Sequence, residues 1–158
     1  LQDLDAIERI ELENFSEEEA IAREILKDHI EKIQTTFLVA ECQGQILGYL
    51  EGPVRPERYL IDSSFSEVED LSQLEQGFIS ITSLSIAKEA QGLGVGTLLL
   101  EAMKEIALKD NRQGINLTCH DYLIPYYEKQ GFTNEGRSES QYAGEVWYNL
   151  VWENEKLD

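Results

Sequence analysis

The feature that most constrains this chain is its glycine-spaced segment Gln91-Gly92-Leu93-Gly94-Val95-Gly96. Ahead of it, residues 78–86 form an apolar run of strand character. Behind it, residues 94–109 place Val95, Leu98, Leu99, Ala102, Met103 and Ile106 at helical spacing, with Glu101, Lys104, Glu105 and Lys109 on the other side. Glu105 and Lys109 form an i, i+4 pair. Glycines let such a turn bend with its N–H groups outward, and the helix adds its unpaired first amides and positive dipole end. A pyrophosphate is the expected guest. The Gly-x-Gly-x-x-Gly of a dinucleotide fold and the Gly-Lys-Ser/Thr ending of a P-loop are both missing. A reading in which the glycines serve only a tight turn stays open.

The rest of the chain supplies the scaffold. Residues 3–13 place Leu4, Ile7, Ile10 and Leu12 at helical spacing, and Ser16 with Glu19 has the pattern of a capping box for a second helix over 17–34. The stripe of that second helix is Ala20, Ile21, Ile25, Leu26, His29, Ile30 and Ile33, on which His29 reads as a packing residue. Residues 35–42 and 45–52 are strand-like and flank Gln43-Gly44, the mark of a tight hairpin that Pro53 ends. From 54 to 76 the chain is polar and acid-rich, a long loop that either covers a pocket or is a plain excursion. Strands over 78–86 and 115–119, helices over 94–109 and 122–130, and a last strand over 142–152 complete a βαβα run. One domain spanning 1–158 is expected from the length. The chain begins at Leu1 rather than Met, so a short first strand is expected to precede it.

Charge narrows the partners. Thirteen Lys and Arg stand against thirty-one Asp and Glu, a net charge of −18 that repels nucleic acid and anionic membrane and favours a cationic partner. The same excess also serves plain solubility. No run approaches the ~18 apolar residues of a membrane span, and no basic and apolar leader opens the sequence. Cys42 and Cys119 have neither metal-ligand spacing nor the density of a disulfide scaffold. A soluble, cytoplasmic protein without a metal is expected.

Gln91-x-x-Gly94-x-Gly96 after a strand resembles the acetyl-CoA signature of the GNAT (Gcn5-related N-acetyltransferase) superfamily, and the likeness covers nearly the whole chain. Residues 82–86 and 119–132, with Gly131-Phe132, look most like its arylalkylamine N-acetyltransferase branch. The resemblance implies an α/β fold with a mixed, mostly antiparallel sheet flanked by helices, and acetyl-CoA (coenzyme A) as co-substrate without a metal. It implies that Leu84, Ser85 and Ile86 bind the pantetheine arm. The pyrophosphate would fall to the amides of Gln91, Gly92, Leu93, Gly94, Val95, Gly96 and Thr97. Cys119 and His120 would approach the thioester across a splay between the central strands, and Tyr126 would pack in the core or on the cofactor.

The same resemblance makes Tyr127 the general acid for the departing thiolate. The oxyanion is most economically held by the Leu84 N–H, which costs no charged side chain. The branch's histidines fall on Ser80 and Thr82, which leaves the base open among Glu51, His120 and a water chain anchored by Ser80 and Thr82. The implied acceptor is a small cationic primary amine, arylalkylamine or polyamine-like, attacked directly in a ternary complex beside Tyr142, Trp147 or Tyr148. A peptide or protein amine and a non-catalytic acyl-CoA sensor are the alternatives, and a homodimer is the expected assembly.

Overall fold

The computed structural model describes residues 3–16, 19–65 and 68–157. Its elements in chain order are α1 Leu4–Asn14, α2 Arg23–Lys32, β1 Phe37–Cys42, β2 Gln45–Glu51, β3 Val54–Arg55, β4 Phe78–Ser80, β5 Ser83–Ile86, α3 Val95–Lys109, β6 Gly114–Cys119, α4 Ile124–Lys129, β7 Thr133–Arg137 and β8 Tyr148–Glu153. The hairpin forms as its turn residues require: Gln43 and Gly44 both take positive φ, 52° and 78°, and set Cys42 opposite Gln45. β5 pairs antiparallel with β2 to complete a three-stranded sheet, β1-β2-β5. A second, five-stranded sheet runs β3-β4-β6-β8-β7, in which only β4 and β6 are parallel. The expected mixed, mostly antiparallel sheet flanked by helices is therefore present.

The run over 78–86 is two strands rather than one. Ile81 donates its N–H to Asn116 O on β6 at 2.8 Å, and the next residue, Thr82, donates to Glu51 O on β2 at 2.8 Å. The chain thus changes partner within one residue, and β5 leaves β6 behind. Gly52 permits the close crossing, because a Cβ there would lie 1.9 Å from Ser80 O.

Each face of the sheets carries its own core. α3 lays Leu99, Leu100, Met103 and Ala107 on Ile79, Ile115, Leu117 and Leu150, whereas α1 and α2 bury Leu4, Ile7, Ile10 and Leu26 over Tyr49. Each of the Leu, Ile and Met side chains among them contributes about 1.5–3 kcal/mol on leaving water. The α3 stripe is rotated from the expected one: Leu98 is 69% exposed and Ala102 is exposed, while Leu100 and Ala107 are buried. Three successive leucines, 98 to 100, fit either face, and the sheet selects the later pair.

Three other expectations need correction. The second helix starts at Arg23 instead of 17. Residues 17 and 18 lie outside the described residues, and Ser16 caps a turn by accepting the Glu19 and Ala20 amides. The physical reason is Glu11, whose carboxylate takes the Ile21 N–H at 2.8 Å and holds the chain in an extended step before α2. The last strand begins at Tyr148, since 142–144 form a helical turn with Ala143 at φ 55°. β7 was not foreseen because Thr133–Arg137 is a largely exposed edge strand without apolar alternation. The 54–76 segment carries β3 and a helical turn at Asp62–Phe65, tied down where Asn116 Nδ2 donates to Glu57 O and Arg58 O. Among the described residues, no helix is long and apolar enough to cross a membrane.

Candidate active site

The gap left by β5 is polar in a defined way. Ala87 N–H donates to Leu47 O at 2.8 Å, so antiparallel alternation makes Tyr49–Ser85 a hydrogen-bonded pair and Leu50–Leu84 and Gly48–Ile86 non-bonded ones. The N–H of Leu84 and the polar groups of Ile86 therefore point away from β2 into the gap. Ile86 O already accepts there, from Asn14 Nδ2 at 2.7 Å and Gln91 Nε2 at 3.1 Å. Ser85 instead faces α1, where its Oγ accepts from Asn14 at 2.8 Å.

The glycine turn adjoins this gap. Gly92 and Gly94 take φ of 81° and 85°, and Gly94 caps α3, whose first turn contains no acid to neutralise its free amides. A Cβ on Gly96 would lie 2.6 Å from the Tyr126 hydroxyl, so that residue and Tyr126 are fitted to each other. Gln91 reaches Asn14 Oδ1 at 2.8 Å, and Thr97 Oγ1 accepts from Gln130 at 3.0 Å. The exposed Leu93 and Val95, which is buried, complete the segment. An extended chain with amides and a diphosphate, as in coenzyme A, fits this combination of free strand edge and acid-free helix start.

Beyond the gap lies a cavity of about 200 Å³ between the α1–α2 junction, β5, the end of β6 and the 142–147 segment. It brings Leu84, Thr82, Cys119, His120 and Tyr127 together. Tyr127 is buried, with ring contacts to Tyr126 at 5.1 Å and Phe132 at 5.7 Å, and burial pushes its phenol well above the ordinary range. The neighbouring Cys119 thiol is pushed up to about 12 by burial and by Asp121. Cys119 is therefore a neutral wall and no nucleophile.

The opposite wall is acidic and aromatic. His120 Nε2 stands 3.3 Å from Glu145 Oε2 and 3.7 Å from Glu19 Oε2, with its ring stacked on Trp147 at 4.2 Å and Tyr122 at 5.4 Å. Burial, then the Glu145 carboxyl beside it, raises the Glu19 pKa. The ligand atoms of Glu19, His120 and Glu145 lie within 4.8 Å of one another, a spacing open to a cation of either kind, ammonium or metal. Tyr142 donates to Glu19 O at 2.9 Å and stacks on Phe65 at 4.1 Å. Tyr148 packs on the main core instead, as strand alternation requires once Trp147 faces the cavity.

The remaining candidates stand behind the wall. Glu51 is fully buried, with His29 Nδ1 at 2.7 Å and the Thr82 hydroxyl at 2.9 Å, and Ser80 is buried on β4. Sequence reasoning missed Glu11, Asn14, Glu19 and Glu145. Glu11 carried a signal: it falls one turn after Ile7, an acid on the apolar stripe of α1. Its carboxylate accepts from Tyr49 and, at 3.1 Å, from Ser83, and burial raises its pKa.

The profile of the acetyltransferase (GNAT) family matches residues 4–132. The chain belongs to that family. It is 29% identical to an N-alpha-acetyltransferase of Sulfurisphaera tokodaii over 110 residues, 66% of this chain and 60% of that one. An uncharacterized N-acetyltransferase of Methanocaldococcus jannaschii is 29% identical over 103 residues, 65% of this chain. The chain thus aligns with 60% and 52% of the lengths of these relatives. A GNAT-like decarboxylase solved with isobutyryl-CoA shares the fold at a TM-score of 0.77 and 15% identity, covering 96% of this chain and 95% of that one.

Proposed function

We propose that this chain moves the acetyl group of acetyl-CoA to a small cationic primary amine, in the manner of the arylalkylamine branch, as a single domain in a cytoplasmic setting. The observation that carries this reading is one cavity lined by Leu84, Tyr127, Glu19 and His120, with Glu145 beside His120 at 3.3 Å. The Leu84 N–H, free on the gap side, holds the developing oxyanion. Tyr127, kept protonated by burial, hands its proton to the departing sulfur. Glu19 and Glu145 draw in the ammonium form, and Trp147 and Tyr142 supply its apolar and π contacts. The turn from Gln91 to Thr97 holds the pyrophosphate through backbone amides, with no metal needed for that task.

A peptide or protein amine is the second reading, favoured by the likeness to an N-alpha-acetyltransferase. The cavity speaks for the smaller substrate, because its volume is only about 200 Å³. Thiol release from acetyl-CoA, measured with monoamines, diamines and an unblocked peptide, tests both. Turnover with small amines supports the proposal; turnover with the peptide alone supports the second reading. Binding of acetyl-CoA with no amine-dependent release would instead mark a non-catalytic sensor.

A further inference from the structure

The cradle and Tyr127 leave one chemical task without an owner: an ammonium must lose a proton before it can attack. Thr82 and Ser83 both line the cavity, and each hydroxyl donates to a buried carboxylate behind it. The partner switch at Ile81–Thr82 explains why two successive side chains face the same way: Thr82 N–H and its hydroxyl both turn to Glu51, the residue in register with Ser83.

The two outlets differ. Glu11, behind Ser83, is already committed to Tyr49 and the Ile21 amide. Glu51, behind Thr82, is held by the Thr82 hydroxyl at 2.9 Å and by the His29 ring at 2.7 and 3.0 Å. Both Glu51 and His29 are 0% exposed. Burying a carboxylate beside an imidazole carries a desolvation cost that only their pairing offsets. Tying α2 to β2 would need only the pair, yet the pair has a third member that opens on the acceptor side.

We propose that Glu51, oriented by His29, receives the acceptor's proton through the hydroxyl of Thr82. The idea rests on the acetyl-transfer reading and assigns its base. The Thr82 oxygen takes a proton from the ammonium nitrogen as its own proton passes to Glu51, leaving a neutral amine and a protonated carboxyl. The amine forms the C–N bond at the acetyl carbon, the C–S bond breaks, and the sulfur takes the Tyr127 proton. The tyrosinate then recovers a proton from the new amide nitrogen, and Glu51 returns its proton to solvent. Thr82 touches the substrate; Glu51 and His29 are positioning residues that act through it. The other ionisable groups whose fields couple to Glu51 are Glu11 on α1 and Tyr49 on β2.

The test is the pH dependence of kcat and KM with acetyl-CoA and whichever amine the wild type uses. Thr82→Val, which removes only the hydroxyl, should lower kcat about 100-fold near neutral pH and leave the KM for acetyl-CoA within about 2-fold, as loss of a general base does. The deficit should shrink towards pH 10, where a primary amine sheds its own proton. Thr82→Ser should restore most of the rate, and Glu51→Gln combined with Thr82→Val should be no worse than either alone. A Thr82→Val rate within 3-fold of wild type, or a deficit unchanged with pH, overturns the relay while leaving acetyl transfer intact. A pH-dependent deficit in Glu19→Gln or Ser83→Ala instead of Thr82→Val moves the base elsewhere and overturns it as well. A wild type that turns over no amine overturns both readings.

Discussion

A Cβ added at Gly96 would sit 2.6 Å from the Tyr126 hydroxyl oxygen, 3.7 Å from the ring carbon that bears it and 4.0 Å from Ile86 Cδ1. Only the oxygen is in the way. Gly96→Ala should therefore cost about 1–3 kcal/mol, the usual penalty of overpacking. For a domain of this length that is a fall of roughly 2–12 °C in Tm. Removing the oxygen leaves 3.7 Å, an ordinary contact. In a Tyr126→Phe background the same substitution should then be neutral, or even stabilising by up to about 1 kcal/mol, because alanine is the better helix former at this position inside α3. Thermal unfolding of the four proteins of this cycle, with calorimetric titration of acetyl-CoA alongside, measures the coupling. A coupling energy below about 0.5 kcal/mol would refute the steric argument and place the need for glycine in the ligand's approach instead.

Tyr127→Phe should lower kcat by about 100-fold, equivalent to about 2.7 kcal/mol of barrier, while calorimetric acetyl-CoA affinity stays within about 2-fold; equal losses in both would remove the residue from the acid role. Arg58 lies along Glu135 at 2.9 and 2.7 Å and holds that carboxyl below its usual range. The stability this supplies is present above the ordinary carboxylate range and lost as pH falls through the depressed value. Because Arg58 is 39% exposed, Arg58→Leu should cost no more than about 1 kcal/mol at pH 7, and nothing by pH 2; a Tm difference that persists in acid would contradict this. Cys42 is exposed and Cys119 buried, with the Cys119 thiol pushed up to about 12. Iodoacetamide at pH 8 should label Cys42 at least 100-fold faster, a ratio readable by mass spectrometry, and similar rates would show that the cavity is open to solvent.

The hairpin and α3 were legible because their signals are local: Gln43-Gly44 dictates its own turn, and the glycines of residues 92–96 dictate theirs. The acid wall was not. Glu19 read as a helix cap because its distant partners, His120 and Glu145, are brought to it by the fold and leave no mark on neighbouring residues. Glu51 was legible as a candidate, but its neighbours were not, since His29 joins it from α2 across two elements. The break at Ile81–Thr82 was hidden for another reason. Strand propensity measures whether a residue likes extended backbone, and both halves of 78–86 do; it says nothing about which neighbour each half will choose.

That change of neighbour leaves an unfinished strand edge inside the protein rather than at its rim. Rim edges invite other chains, but this one lies between β5 and β6, where no second sheet can enter. Its exposed carbonyl at Ile86 is occupied by two amide side chains, Asn14 and Gln91, which act as placeholders for a ladder that the polypeptide does not complete. Any molecule that lies along this edge must first displace them. Asn14 ends α1, and Gln91 opens the glycine turn, so a group that takes this carbonyl competes at the same time with a helix end bordering the cavity and with the turn ahead of α3.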